Sequence, residues 1–310
     1  TVQPATTVGE EGYVAGRFDR DRREFEACDV PCVFNPKEPR YVDVFEFAHP
    51  PGGCLLGKEL WFSMESEVYY PRWTESRGLY ESAEVIGTTR LSSDVPSLYG
   101  DWWQYDFYQP LSPKTANVLA VAVITNCGAR NARLEFLNEL IAAGLSVHST
   151  GRCANNHPAP SKSDWFHAKI NSIRPYKFYL AFENSNATDY ITEKFFQALA
   201  AGTVPVVYGT PNAADFAPAP GSYIDAKDFP SAEALVAELD RLDKDDEAYY
   251  KMLAWKKEGV TEKFEKLLAS TTDVHYSCRI CQVVKRQYEV ELGEKTVEEA
   301  FPDVEPVIGD

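Results

Sequence analysis

The polarity of the chain changes character near residue 117. From there NVLAVAVIT is a continuous apolar run of buried-strand length. A polar turn at NCGARN follows, and then ARLEFLNELIAAG, whose Leu134, Leu137, Leu140 and Ile141 recur at helical spacing and stop at Gly144. LSVHST reads as the next strand, and KFYLAFE, a helix from Thr192 to Ala201, and VPVVYG repeat the order strand, helix, strand. Short strands apolar on both faces, alternating with helices, predict an α/β fold with a parallel sheet of the doubly wound kind. Ligands of such sheets sit at the carboxyl ends of the strands.

Upstream, YVDVFEFA (41–48) and ELWFSM (59–64) alternate or cluster β-formers and read as strands with PPGG in the loop between them. AEVIGTT (83–89) is a third strand candidate, and this half is expected to be a small α/β domain. The first 40 or so residues are polar, without periodicity, and are expected to be loop-like. FPSAEALVAELDRLDKDDEAYYKMLAWKKEG (229–259) carries two amphipathic helices, with LDKDDE as a solvated helix end. From Val283 the chain is charged and runs into a Pro-containing acidic tail, expected to be mobile.

With 310 residues, 44% hydrophobic and 13% aromatic, the chain is long enough for two packed domains. Its net charge of −16 argues against a nucleic-acid or anionic-membrane surface, which needs clustered Lys and Arg. The acidity is uneven, however: residues 113–210 hold nine Lys/Arg against six Asp/Glu. A locally basic segment in an acidic protein points to a bound anion. No apolar run approaches the roughly 18 residues of a membrane span, and the chain opens on Thr1 without a signal-peptide pattern, so it reads as a trimmed soluble fragment.

Seven cysteines stand at 28, 32, 54, 127, 153, 278 and 281. Cys278 and Cys281 form a Cys-X-X-Cys and Cys28 and Cys32 the wider CDVPC. Zinc ligation is one reading of these four. Two disulfides stapling the N-terminal region to the C-terminal end, in an oxidising compartment, is the preferred one.

The polar segments that follow the strands are where chemistry is expected. They are NCGARNAR with Arg130 and Arg133, STGRCANN, and FENSNATDYITEK. The helix opened by Thr192 presents free backbone N–H groups and a partial positive charge suited to a phosphate, and Lys194 adds a full charge there. On residue grounds alone, Glu193 and Lys194 read more simply as a solvated helix start, and Phe195, Phe196 and Leu199 as core. The absence of GxGxxG disfavours a dinucleotide oxidoreductase. Glu65, in WFSMESEVYYP, follows an apolar strand, where a carboxylate can be a general base or a plain surface residue. His49, His148 and His167 show no metal spacing and read as structural.

YKFYLAFENSNATDYITEKFFQALAAGTVPVVYGTPN closely resembles the signature of the α1,3-fucosyltransferase family, enzymes that transfer fucose from GDP-fucose. With ITNCGARNARLEFLNEL, STGRC, FSMESEVYYP, SSDVP, AWKKEG and HYSCRICQ, the similarity runs in order over residues 60–282. The wording of these segments looks like the plant-type branch, which acts on the Asn-linked GlcNAc of N-glycan cores. The resemblance implies a GT-B fold, two Rossmann-like domains with a cleft between them. It implies an acceptor domain over residues 1–112, a GDP-fucose domain over 113–270, and a segment 271–310 that returns to the first. It implies an inverting single displacement with no required cofactor or metal, a divalent ion being at most a stimulant. GDP-fucose and the N-glycans of glycoproteins are the implied partners, and the Golgi lumen the implied location, as the soluble part of a type II membrane protein whose anchor is not in this chain.

Carried over residue by residue, Glu65 matches the family's proposed general base, with Glu67 where animal relatives commonly have Pro. Arg133 and Lys194 match the cations that hold the diphosphate, and Asn184, Tyr190 and Glu193 match donor contacts. The family's pairing supports bridges from Cys28 and Cys32 to Cys278 and Cys281. Cys127 and Cys153, at neighbouring strand ends, are expected to form a third bridge, leaving Cys54 free. The sequon at Asn186–Thr188 lies inside the donor motif and is expected to stay unmodified, because a glycan there would obstruct the cleft. A Lewis-type enzyme acting on N-acetyllactosamine termini is the nearest alternative. A non-catalytic glycan-binding relative is another, against which intact Glu65, Arg133 and Lys194 speak.

Overall fold

The computed structural model describes residues 33–40, 42–48, 59–69, 83–100, 105–159, 165–272, 274 and 276–300. The chain divides into two compact units, Thr1–Leu98 with Leu267–Asp310, and Tyr99–Lys266.

The first unit holds a five-stranded sheet in sequential order: β1 (Val33–Arg40), β2 (Val42–Ala48), β3 (Glu59–Ser63), β4 (Val85–Thr88) and β5 (Val95–Pro96). The first three are antiparallel, and β4 and β5 join in parallel. β1 was not legible as a strand, because VFNPKEPR has two prolines and no alternation. It pairs as the end strand of the sheet, with a register shift between Pro36 and Pro39 where residues without an N–H interrupt the ladder.

Val85 and Val95 of this sheet are buried against Ile280, Cys281, Val284 and Tyr288 of the helix Tyr276–Glu291. Phe62 stacks on Tyr276 with 4.6 Å between ring centroids. Arg279 donates through Nη1 to the Pro96 carbonyl at 2.6 Å and through Nε to Val274 O at 3.0 Å, and burial pushes its guanidinium down to about 10. The charged stretch that begins at Val283 therefore continues an amphipathic helix, since Ile280, Val284 and Tyr288 recur every fourth residue and face the sheet. The acidic residues 301–310 lie outside the described residues.

The second unit is built on a wholly parallel sheet of β6 (Ala120–Ala122), β7 (Val147–Ser149), β8 (Phe178–Phe182), β9 (Val204–Tyr208) and β10 (Ile224–Asp225), in the order β10-β9-β8-β6-β7. The helices are α1 (Arg133–Ala142), α2 (Trp165–Ile173), α3 (Glu193–Ala201), α4 (Ala232–Lys244) and α5 (Asp246–Lys251), followed along the chain by the short helix Trp255–Glu258 and the helix Glu262–Thr272. Every residue of β8 is buried, the mark of a central strand covered on both faces. The core gathers Ala120, Leu137, Phe178, Leu180, Val206 and Leu239.

β6 is shorter than its apolar run because the loop after β7 competes for the next carbonyls: Cys153 N–H donates to Ile124 O at 2.9 Å. The helical pattern of 229–259 breaks at Asp245, whose carboxylate accepts from Ala248 N–H at 3.0 Å and caps α5. Among the described residues no helix is long and apolar enough to cross a membrane.

Candidate functional site

The central strand β8 runs directly into a carboxylate. Glu183 is 0% exposed, and its charge is met by the start of α3. Oε1 accepts from Thr192 N–H at 2.8 Å, and the Thr192 hydroxyl lies 2.9 and 2.8 Å from the two carboxylate oxygens. Lys194 Nζ donates to Oε2 at 3.0 Å and to Thr192 Oγ1 at 2.6 Å. Thr192 is the N-cap of α3, yet its side chain makes no cap bond to the helix, being engaged by Glu183 and Lys194 instead. On the outer side of Lys194, Glu193 Oε1 stands 3.4 Å from its Nζ and 3.5 Å from Nζ of Lys169, which α2 supplies at 5% exposure.

Glu183, Lys194, Glu193 and Lys169 thus form a row of alternating charge that is formally neutral, with the buried Glu183 and Lys169 at its ends and the half-buried Lys194 and Glu193 between them. Burial opposes the charge on Lys194, but Glu183 and then Glu193 outweigh it and hold its pKa above the usual lysine range. Burial likewise works against ionised Glu193, and the charges of Lys194 and then Lys169 outweigh it and bring its carboxyl down to about 2. Lys169 is lowered by burial, with Glu193 opposing.

The loops after β6, β7 and β8 are tied to one another. Arg133 begins α1 after Ala132 in the left-handed region (φ 57), and at 4% exposure it donates through Nη1 to Phe182 O at 2.9 Å and through Nη2 to Asn126 O at 3.0 Å. Asn131 Nδ2 donates to Glu183 O and to Asn186 Oδ1, each at 3.1 Å, while Tyr208 O–H donates to Asn131 O at 2.7 Å. A disulfide joins Cys127 to Cys153, the bridge expected from their positions at neighbouring strand ends. The turn that leads to α3 is held by Asn212, which accepts from Asp189 N–H at 2.9 Å and donates to Asp189 Oδ1 at 2.8 Å. Gly209, at φ 131, ends β9 so close to this turn that a Cβ would meet Ser185 O at 2.8 Å and Glu183 Cβ at 2.9 Å. Only glycine suits that position.

The structure therefore brings Glu193 and Lys194 together at the carboxyl end of the sheet, with Asn184 half-buried and Tyr190 3% exposed on the same loop. Arg133 lies beneath them, engaged by carbonyls. Asn186 is exposed, its side-chain oxygen held by Asn131. Sequence reasoning missed Glu183 and Lys169. A carboxylate that closes a wholly apolar strand was an available signal for Glu183; nothing in WFHAKI distinguished Lys169 from a solvated helical lysine.

In the first unit, Glu65 stands two residues past β3, half-buried, with its N–H donating to Ser63 Oγ at 3.1 Å. Glu67 is held by Arg90, whose Nε donates to Oε1 at 3.0 Å. Cys278 and Cys281 are in disulfides; Cys28, Cys32, Cys54 and His49 lie outside the described residues. His148 stacks on His157 at 3.8 Å and shares a 2.8 Å hydrogen bond with the Tyr176 hydroxyl, and His167 is exposed on α2. Among the described residues no three His, Cys, Asp or Glu side chains gather as a metal site.

Residues 112–300 match the family described as glycosyltransferase family 10 (fucosyltransferase) C-term. The chain is 40% identical over 260 residues to a fucosyltransferase-like protein of Arabidopsis thaliana, a match that covers 84% of this chain and 48% of that protein. It is 35% identical over 264 residues to the Alpha-(1,4)-fucosyltransferase of Arabidopsis thaliana, covering 79% and 62%. It is 32% identical over 236 residues to Glycoprotein 3-alpha-L-fucosyltransferase A of Drosophila melanogaster, covering 73% and 44%. The chain thus spans about half the length of these relatives.

Proposed function

This chain belongs to glycosyltransferase family 10, the fucosyltransferases, and from that membership we propose that it is an inverting enzyme moving L-fucose from GDP-fucose to the 3-hydroxyl of the Asn-linked GlcNAc of N-glycan cores. The observation that carries this reading is Lys194 at the opening of α3, beside the carboxyl end of a parallel sheet. A helix N-terminus with an adjoining cation suits a diphosphate. The GT-B architecture belongs to the same proposal. The Drosophila relative, by its name, supports a glycoprotein acceptor and a 3-linkage. The disulfide between Cys127 and Cys153 supports an oxidising setting, in keeping with the Golgi lumen.

In the proposed reaction Glu65 takes the proton of the acceptor hydroxyl as that oxygen attacks the anomeric carbon from the face opposite GDP. One displacement gives inversion. Negative charge grows on the leaving β-phosphate, where Lys194 and the N–H groups of α3 stabilise it, each donor contributing on the order of 3 kcal/mol. Arg133, which donates to two backbone carbonyls, has five N–H donors and is assigned to the phosphate as a second cation. Asn184, Tyr190 and Glu193 are assigned to the rest of the donor. In this reading a metal is dispensable.

A second reading, a Lewis-type enzyme acting on N-acetyllactosamine termini, is supported by a Rattus norvegicus relative named 4-galactosyl-N-acetylglucosaminide 3-alpha-L-fucosyltransferase 9. Incubation with GDP-fucose and an N-glycan, read as a mass gain of one deoxyhexose and its position, tests the activity. An acceptor lacking the core GlcNAc separates the two readings, because only the Lewis-type enzyme modifies it. Glu65→Gln should lose about 10²- to 10⁴-fold in kcat while still binding GDP; near-normal turnover removes Glu65 from the base's role. Lys194→Ala should weaken GDP binding by calorimetry, and unchanged affinity would make Lys194 a structural charge only.

A further inference from the structure

We infer that Lys169 is a positioning residue for the donor site, holding the Glu193 carboxylate so that Lys194 is free to engage the diphosphate of a nucleotide sugar. This rests on the donor reading above. Lys169 comes from α2, outside the loop and helix that carry Asn184, Tyr190, Glu193 and Lys194. It is 5% exposed, and its ion pair is with Glu193 Oε1 at 3.5 Å. A lysine held so far from water is costly unless a carboxylate meets it.

The row of charges explains what that cost secures. Glu193 is shared between Lys194 at 3.4 Å and Lys169 at 3.5 Å, and Lys194 is shared between Glu193 and Glu183. When a diphosphate draws on Lys194, Glu193 keeps Lys169 as its counter-charge and need not follow or repel the incoming anion. Without Lys169 the row carries one net negative charge, and Glu193 competes with the diphosphate for Lys194. Glu193 ionises at about 2 with both lysines beside it, so it stays charged throughout the working pH range.

A double-mutant cycle read by calorimetry with GDP tests the inference, using the unmodified protein, Lys169→Met, Glu193→Gln and the double variant. Lys169→Met should weaken GDP binding about tenfold in the unmodified background. In the Glu193→Gln background the same change should cost about twofold or less, because the competing carboxylate is gone. Lys169→Arg should restore affinity to within about threefold of the unmodified protein. Should the methionine variant not fold, Lys169→Gln takes its place in the cycle. An equal loss in both backgrounds marks a general charge or packing effect and overturns the inference, as does GDP binding that no Lys169 variant alters. Failure of the unmodified protein to bind GDP overturns the donor reading, and this inference with it.

Discussion

The carboxylate of Glu183, inaccessible at the end of β8, accepts from Lys194 Nζ at 3.0 Å, so the first turn of α3 is fastened to the central strand by charge as well as by the chain between them. That fastening sets where the helix N-terminus points. It also leaves Lys194 shared between two carboxylates, Glu183 and Glu193, the second of which is paired in turn with Lys169.

Removing one partner of this pair should be far worse than weakening it. Glu183→Ala takes from Lys194 its buried counter-charge, leaving the pairing with Glu193, and deprives Thr192 N–H of its acceptor; a broken buried pair typically costs about 3–5 kcal/mol. Glu183→Gln keeps an acceptor for Thr192 N–H and should lose clearly less. Urea denaturation of the two variants checks the order; equal losses would show that the charge is not what anchors the helix.

The bridge between Cys127 and Cys153 closes a sequence separation of 26 residues. Replacing both with Ser should destabilise the protein by about 3.5 kcal/mol, the chain-entropy value for a loop of that size. Hydrogen exchange should quicken in residues 124–131 and 150–153, the two loops it joins. A melt and an exchange pattern like those of the unmodified protein would show that the remaining hydrogen bonds alone hold these loops.

Gly209→Ala is predicted to be costly for two reasons that act together. At φ 131 a side chain is strained, and its Cβ would sit 2.8 Å from Ser185 O. A loss of about 2 kcal/mol or more is expected in thermal unfolding. Because the strain falls on the loop before α3, GDP binding should weaken as well; a variant as stable as the parent would mean that β9 can shift to make room.

Lys114 gives a pH dependence of known sign. Its ammonium donates to Arg174 O at 2.9 Å and Gly202 O at 2.7 Å, at the C-terminal end of α3, while burial and then the charges of Lys256 and Arg174 lower its pKa from 10.5 to about 7. Between those values the unfolded chain binds more protons than the folded one, so stability contributed by this group rises as pH increases through that window and is lost as pH falls towards 7. Urea midpoints should therefore rise from pH 7 to about 9, and Lys114→Met should flatten the rise. Lys256, lowered to about 8 by burial first, adds in the same direction, so some slope will remain. An identical slope in the Lys114→Met variant would refute the assignment.

Much of this site was legible along the chain because it depends on local periodicity. The apolar run KFYLAFE read as a strand of a parallel sheet, Thr192 stood at the start of a helix, and Cys127 and Cys153 fell after strands that such a sheet sets side by side. Lys194 was visible as a cation at a helix start, although residue type alone favoured a solvated one. β1 was not visible, since its two prolines hide a strand whose existence depends on pairing with β2.

The order of elements and the residues delivered to the strand ends follow from the pattern along the chain. Which charges meet there was decided only by the tertiary structure. Glu183, Lys194, Glu193 and Lys169 come from a strand end, a helix start and a separate helix, and a charged residue carries no mark of whether its neighbours in space will exclude water. Burial makes Glu183 and Lys169 costly alone, and the alternation of charge through the partly exposed Lys194 and Glu193 offsets that cost.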